Sequence, residues 1–112
     1  MRVVSRNAEF PADLLVNQFR KLFSLPANPP TDIIAGNDPG IDGVNNPDGP
    51  NDASPEAYLD VEWAGAVAPD ATIDLVIGGD TALESGLVLA AEHAVYADVA
   101  PVMSMSFGQW QR

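Results

Sequence analysis

A chain of 112 residues with 16 acidic and 5 basic side chains carries a net charge of −11. That balance offers no basic surface to neutralise phosphates, which argues against nucleic acid and anionic membrane as partners. The absence of cysteine removes disulfides and thiolate metal centres, no apolar run is long enough for a signal peptide or a membrane span, and the length suits one small domain with a modest core.

Residues 1–30 read as a lead-in of helix and linker. Phe10, Leu14, Leu15, Phe19, Leu22 and Phe23 recur at helical spacing, which predicts a helix over 10–23. Arg20 and Lys21 fall in its last turn, where the helix dipole favours cations, and the proline-rich stretch from Ser24 to Pro30 ends it. Thr31 to Ala35 is predicted to be a short buried strand, the first of the sheet. Gly36 to Ala53 is rich in Asn, Asp, Gly and Pro and reads as a solvated loop. Its oxygen-bearing side chains suggest calcium, but Gly40 stands where an EF-hand ligand should, so no metal is assigned.

A second helix is predicted from Ser54, a good N-cap, with Pro55 at the first helical position and Pro69 as the stop. At about 100° per residue, Glu56 and Asp60 lie within roughly 40° of each other, on one stripe with Trp63 and Val67. The other sides are also largely apolar, with Tyr58, Glu62 and Gly65 as the wettest, so the helix is expected to be buried most of the way round. Two carboxyl groups held together in such a place cannot both ionise cheaply, and the pair is expected to keep a proton into mildly acidic pH, as an acid-acting general base requires. Favourable placement of an acid in a first helical turn also accounts for Glu56 without any chemistry.

Thr72 to Ile77 is predicted as the next strand, turned by Gly78, Gly79 and Asp80, which lack the spacing of a phosphate loop. Thr81 and Glu84 have capping-box spacing and are expected to open a helix to about Ala97, with Leu83, Leu87, Ala90, Ala91 and Ala94 on its buried face. His93, the single histidine, is assigned a surface or packing role. Val102 to Phe107 reads as a third strand, with Val102 to Met105 in the core. The order is therefore βαβαβ, an α/β chain with a parallel three-stranded sheet. One sheet face and the last strand are expected to be uncovered.

The stretch Glu56-x-x-x-Asp60-Val61-Glu62-Trp63-Ala64-Gly65-Ala66-Val67-Ala68-Pro69-x-Ala71-Thr72 resembles the signature region of the sedolisins, the serine-carboxyl peptidases that include the kumamolisins. Asp38-Pro39-Gly40-Ile41 and Ala100-Pro101-Val102-Met103-Ser104-Met105-Ser106-Phe107-Gly108 extend the likeness over most of the chain from about Phe10. The resemblance implies an acid-acting endopeptidase on a subtilisin-like three-layer α/β fold, with residues 31–112 as the amino-terminal part of the catalytic domain. It makes Glu56 the general base, Asp60 the acid that orients it, and Ser106, Phe107 and Gly108 the segment that pairs with an extended substrate.

The family's nucleophile lies in a Gly-Thr-Ser motif and its oxyanion-stabilising Asp in a Ser-Gly-Asp motif, and neither motif occurs in this chain. Some members add a Glu on the first strand and a Trp where Phe107 stands; the stretch from Ile33 to Gly36 and Phe107 supply neither. On this reading the chain is a fragment that is inactive alone. Its partners are a polypeptide substrate, its own prosegment and a missing carboxyl-terminal half that would also carry calcium, and its location is extracellular. A small non-catalytic α/β binding module and an inactive relic are the alternatives.

Overall fold

The computed structural model describes residues 2–6, 14–39, 54–98 and 100–106. They form, in order, β1 (Arg2–Arg6), α1 (Leu14–Leu22), β2 (Thr31–Ala35), α2 (Ser54–Val67), β3 (Asp74–Gly78), α3 (Gly86–Tyr96) and β4 (Met103–Ser104). The predicted α/β class holds, with one strand more than expected.

That strand changes the topology. The sheet has four strands in the order β2-β3-β1-β4, and every pairing is parallel. β1 runs beside β3 over five residues, from Arg2 opposite Asp74 to Arg6 opposite Gly78, and β4 adds to its other side with Met103 opposite Arg2. The division into a lead-in over 1–30 and a sheet from 31 onward therefore does not hold. β1 is a central strand, and Thr31–Ala35 is the second strand, at the sheet edge.

β3 carries the core. Leu75, Val76 and Ile77 are fully buried, each stabilising the fold by about 2 kcal/mol through the apolar area removed from water. Alternation along the strand sends these side chains to opposite faces. On one face Leu75 and Ile77 meet Val16 of α1 and Ala57 and Val61 of α2. On the other, Val76 and Ala35 meet Ala90 and Ala94 of α3. Among the described residues helices cover both faces in three layers, and the uncovered face expected from the sequence is not found there.

Two further expectations are corrected. Val102, Met103 and Met105 are 56%, 44% and 47% exposed, so β4 is a short edge strand rather than a core strand. α3 begins at Gly86, not Thr81. A Cβ on Gly86 would lie 2.0 Å from the Gly78 carbonyl oxygen, so the helix starts where its backbone can abut the end of β3. Ser85 caps it by accepting from the Leu87 N–H at 3.3 Å, and Asp80 Oδ1 accepts from the Gly86 N–H at 2.8 Å.

Candidate functional site at the α2 carboxylates

The core-facing positions of α2 are Ala57 and Val61, 0% and 1% exposed. Glu56 and Asp60 each precede one of them by a residue, about 100° around the helix, and both are half-buried at the boundary between core and solvent. The helix is thus not buried on most sides. Leu59, Trp63 and Val67 are 47%, 58% and 82% exposed.

Its supposed wet side is the one that α1 covers. Tyr58 and Glu62 are half-buried and Gly65 is buried, because Arg20 of α1 reaches over. Its Nη1 donates to the Gly65 carbonyl at 3.3 Å and its Nη2 to the Pro69 carbonyl at 2.9 Å. Phe19 of α1 lies against Trp63, ring centroids 6.3 Å apart and tilted by 59°. A glycine at position 65 and a cation three residues before Phe23 were visible in the sequence; that they meet was not.

Asp60 reaches across to the carboxyl end of β4. Ser106 Oγ donates to Asp60 Oδ1 at 2.7 Å, while Asp60 Oδ2 is buried without a hydrogen-bond partner. The Glu56–Asp60 hydrogen bond that the resemblance implies is not formed among the described residues. Phe107 and Gly108, the other residues assigned to substrate pairing, lie outside the described residues, as do residues 40–53 of the Gly36 to Ala53 loop that suggested calcium. Among the described residues no three His, Cys, Asp or Glu side chains gather to hold a metal ion.

Beside Asp60 an open depression of about 520 Å³ runs between α2 and β4, lined by Leu59, Asp60, Trp63, Ala64, Val67 and Ser104. Its walls are apolar apart from the Asp60 carboxylate and the Ser104 hydroxyl. His93 is exposed on α3, which packs on the opposite sheet face, so no imidazole serves the Glu56 side.

Two described carboxyls are pushed above their ordinary range. Burial raises Glu62, which the sequence had placed on the wet side of α2. Asp32, on β2, is raised by burial first and by the negative charge of Asp38 second, and its Oδ1 is buried with no hydrogen-bond partner. Sequence reasoning passed over Asp32, although a charged residue inside the apolar run Thr31 to Ala35 was the available signal. The absence of Gly-Thr-Ser and Ser-Gly-Asp from the sequence stands, and the actual first strand, Arg2–Arg6, also lacks a glutamate.

Among the described residues no helix is long and apolar enough to cross a membrane. No family model, curated protein or solved structure matches the chain.

Proposed function

We propose that this chain supplies the base half of an acid-acting serine-carboxyl peptidase site on a subtilisin-like fold, with Glu56 as general base and Asp60 as its orienting acid. The observation that carries the reading is the 2.7 Å contact between Asp60 and Ser106. It joins the carboxylate helix to the carboxyl end of a parallel strand, the place where active groups gather in open α/β sheets.

The chemistry follows from that placement. Glu56 takes the proton of a serine hydroxyl as that oxygen attacks a peptide carbonyl, then returns it to the leaving amine. Asp60, as the acid, donates a hydrogen bond to one oxygen of the ionised Glu56, which fixes the orientation of the base and leaves its other oxygen free to take the serine proton. A carboxylate in the role that histidine plays elsewhere works in acid, because its proton affinity lies lower. The nucleophile and the oxyanion donor come from residues outside this sequence, the substrate is an unfolded or extended polypeptide, and the setting is extracellular.

Reading the encoding gene past the codon for Arg112 is the first test, and a Ser-Gly-Asp segment and a Gly-Thr-Ser motif are expected there. The complete gene product then cleaves a denatured protein substrate at acid pH, and Glu56→Gln lowers kcat by about 10³-fold, within the range a positioned general base supplies. A stop after Arg112, or full activity in Glu56→Gln, sinks the reading.

A further inference from the structure

We propose that Ser106 is a positioning residue for the carboxylate pair: its hydroxyl fixes Asp60 through Oδ1 and leaves Oδ2 as the single oxygen for a hydrogen bond with Glu56. This inference rests on the peptidase reading above.

The geometry is specific. A serine hydroxyl has one proton to donate, and at 2.7 Å from Asp60 Oδ1 that proton is committed to the carboxylate. At that distance the contact is a full hydrogen bond. It also stops rotation of the carboxylate about its terminal torsion, which has broad minima and is otherwise loosely set. With Oδ1 occupied, Oδ2 is left buried and without a partner. An orphaned buried acceptor is costly, and native structures keep few of them without a use.

Glu56 lies one turn earlier on the same helix, about 6 Å along the axis, within reach of a second carboxyl side chain. A hydrogen bond from the acid Asp60 through Oδ2 to the Glu56 carboxylate gives the orphaned oxygen a partner and holds the base in one orientation, with its other oxygen free for the serine proton. The arrangement gives each Asp60 oxygen one task. It also assigns the Ser106 side chain to the carboxylate helix rather than to the substrate, while leaving the backbone of that segment open for strand pairing.

Two other roles for Ser106, substrate contact and nucleophile, give different results, so the test separates them. The complete gene product is assayed for peptide cleavage at acid pH with Ser106→Ala and Ser106→Thr, with Glu56→Gln alongside. Expected is a ten- to hundredfold loss of kcat in Ser106→Ala with KM changed by less than about twofold, and recovery in Ser106→Thr, because the threonine hydroxyl restores the donor. Unchanged kcat overturns the proposal, since the contact then does not position the base. A raised KM with kcat intact makes Ser106 a substrate contact. A loss as deep as that of Glu56→Gln with no recovery in Ser106→Thr makes it a nucleophile.

Thermal melts of the 112-residue chain carrying Ser106→Ala, Asp60→Ala and both changes give a readout independent of activity. The double variant is expected to melt no lower than the worse single one, as for two partners of one bond. Additive losses overturn the proposal. If the melts couple but Glu56→Gln keeps full activity, the peptidase reading fails while the Ser106–Asp60 contact stands.

Discussion

Arg20 is a buried cation held by backbone carbonyls, 2% exposed. Its guanidinium donates through Nε to the Pro26 carbonyl and through its two terminal nitrogens to Gly65 and Pro69. The Gly65 and Pro69 acceptors lie at the end of α2, where carbonyls lack intrahelical partners and the dipole is negative. Arg20 therefore caps a helix other than its own, which its favourable place in the last turn of α1 could not disclose. A planar fork with several donors suits this task and a single ammonium does not. Arg20→Ala is expected to lose about 2 kcal/mol in urea unfolding, because the carbonyl of buried Gly65 is left unpaired, while Pro26 is exposed to water and Pro69 keeps the Asn28 amide at 3.1 Å. Arg20→Lys recovers only part of it. Gly65→Ala should also destabilise, against the better helix propensity of alanine, because the added Cβ would lie 2.7 Å from Arg20 Nη1. A stabilised Gly65→Ala chain would show that the guanidinium does not rest on that surface.

At the scale of elements, the start of α3 shows how a correct local signal can be assigned to the wrong boundary. The capping-box pattern at Thr81 and Glu84 does make its side-chain bond: Thr81 Oγ1 accepts from the Glu84 N–H at 2.9 Å. The result is an isolated turn, closed by the Thr81 N–H donating to the Glu84 carbonyl at 2.9 Å. Leu83, placed on the buried face by helical periodicity, is 97% exposed. The helix waits for Gly86 because tertiary contact with Gly78 fixes its entry, and contact across the chain is invisible to a window of four residues. Ser85→Ala is accordingly expected to cost about 1 kcal/mol of stability, the usual worth of an N-cap. Thr81→Ala should cost less than half of that, since it loosens only an exposed turn. Equal losses in chemical denaturation would return the cap to Thr81. The α2 boundaries were legible from Ser54, Pro55 and Pro69 because there the local signals and the tertiary packing agree, whereas its wet and dry sides were not, because apolar residues all round a helix leave the choice to whichever neighbour packs on it.

For the whole molecule, parallel α/β character was readable from the apolar runs at Thr31 to Ala35 and Thr72 to Ile77, but β1 was not: Val3 and Val4 stand between arginines and serine, too short a run to announce a central strand. Covering of both sheet faces followed from that missed strand. The excess of acidic side chains makes the stability of the fold depend on pH. A net charge of −11 repels itself in the compact state, and acid relieves that repulsion. Two carboxyls add a local contribution of the same sign. Burial, with Asp38 as a second cause for Asp32, makes Asp32 and Glu62 hold protons more tightly when folded than their ordinary values of 3.8 and 4.5. Between those values and the raised native ones the folded chain binds more protons than the unfolded chain, so stability rises as pH falls through that window. Below the ordinary values both states are protonated and nothing more is gained; above the raised ones the penalty is complete and constant. Urea unfolding should therefore show greater stability in mild acid than at pH 7, and Asp32→Asn with Glu62→Gln should be more stable than the unaltered chain at pH 7 and lose that advantage in acid. Salt separates the two causes, because raising it from ~10 mM to ~0.5 M screens repulsion between exposed charges but leaves the desolvation of a buried carboxyl nearly untouched. The advantage of the double variant at pH 7 is thus expected to survive high salt. If salt abolishes it, the acid stability belongs to the net charge alone, and the burial of Asp32 and Glu62 has no part in it.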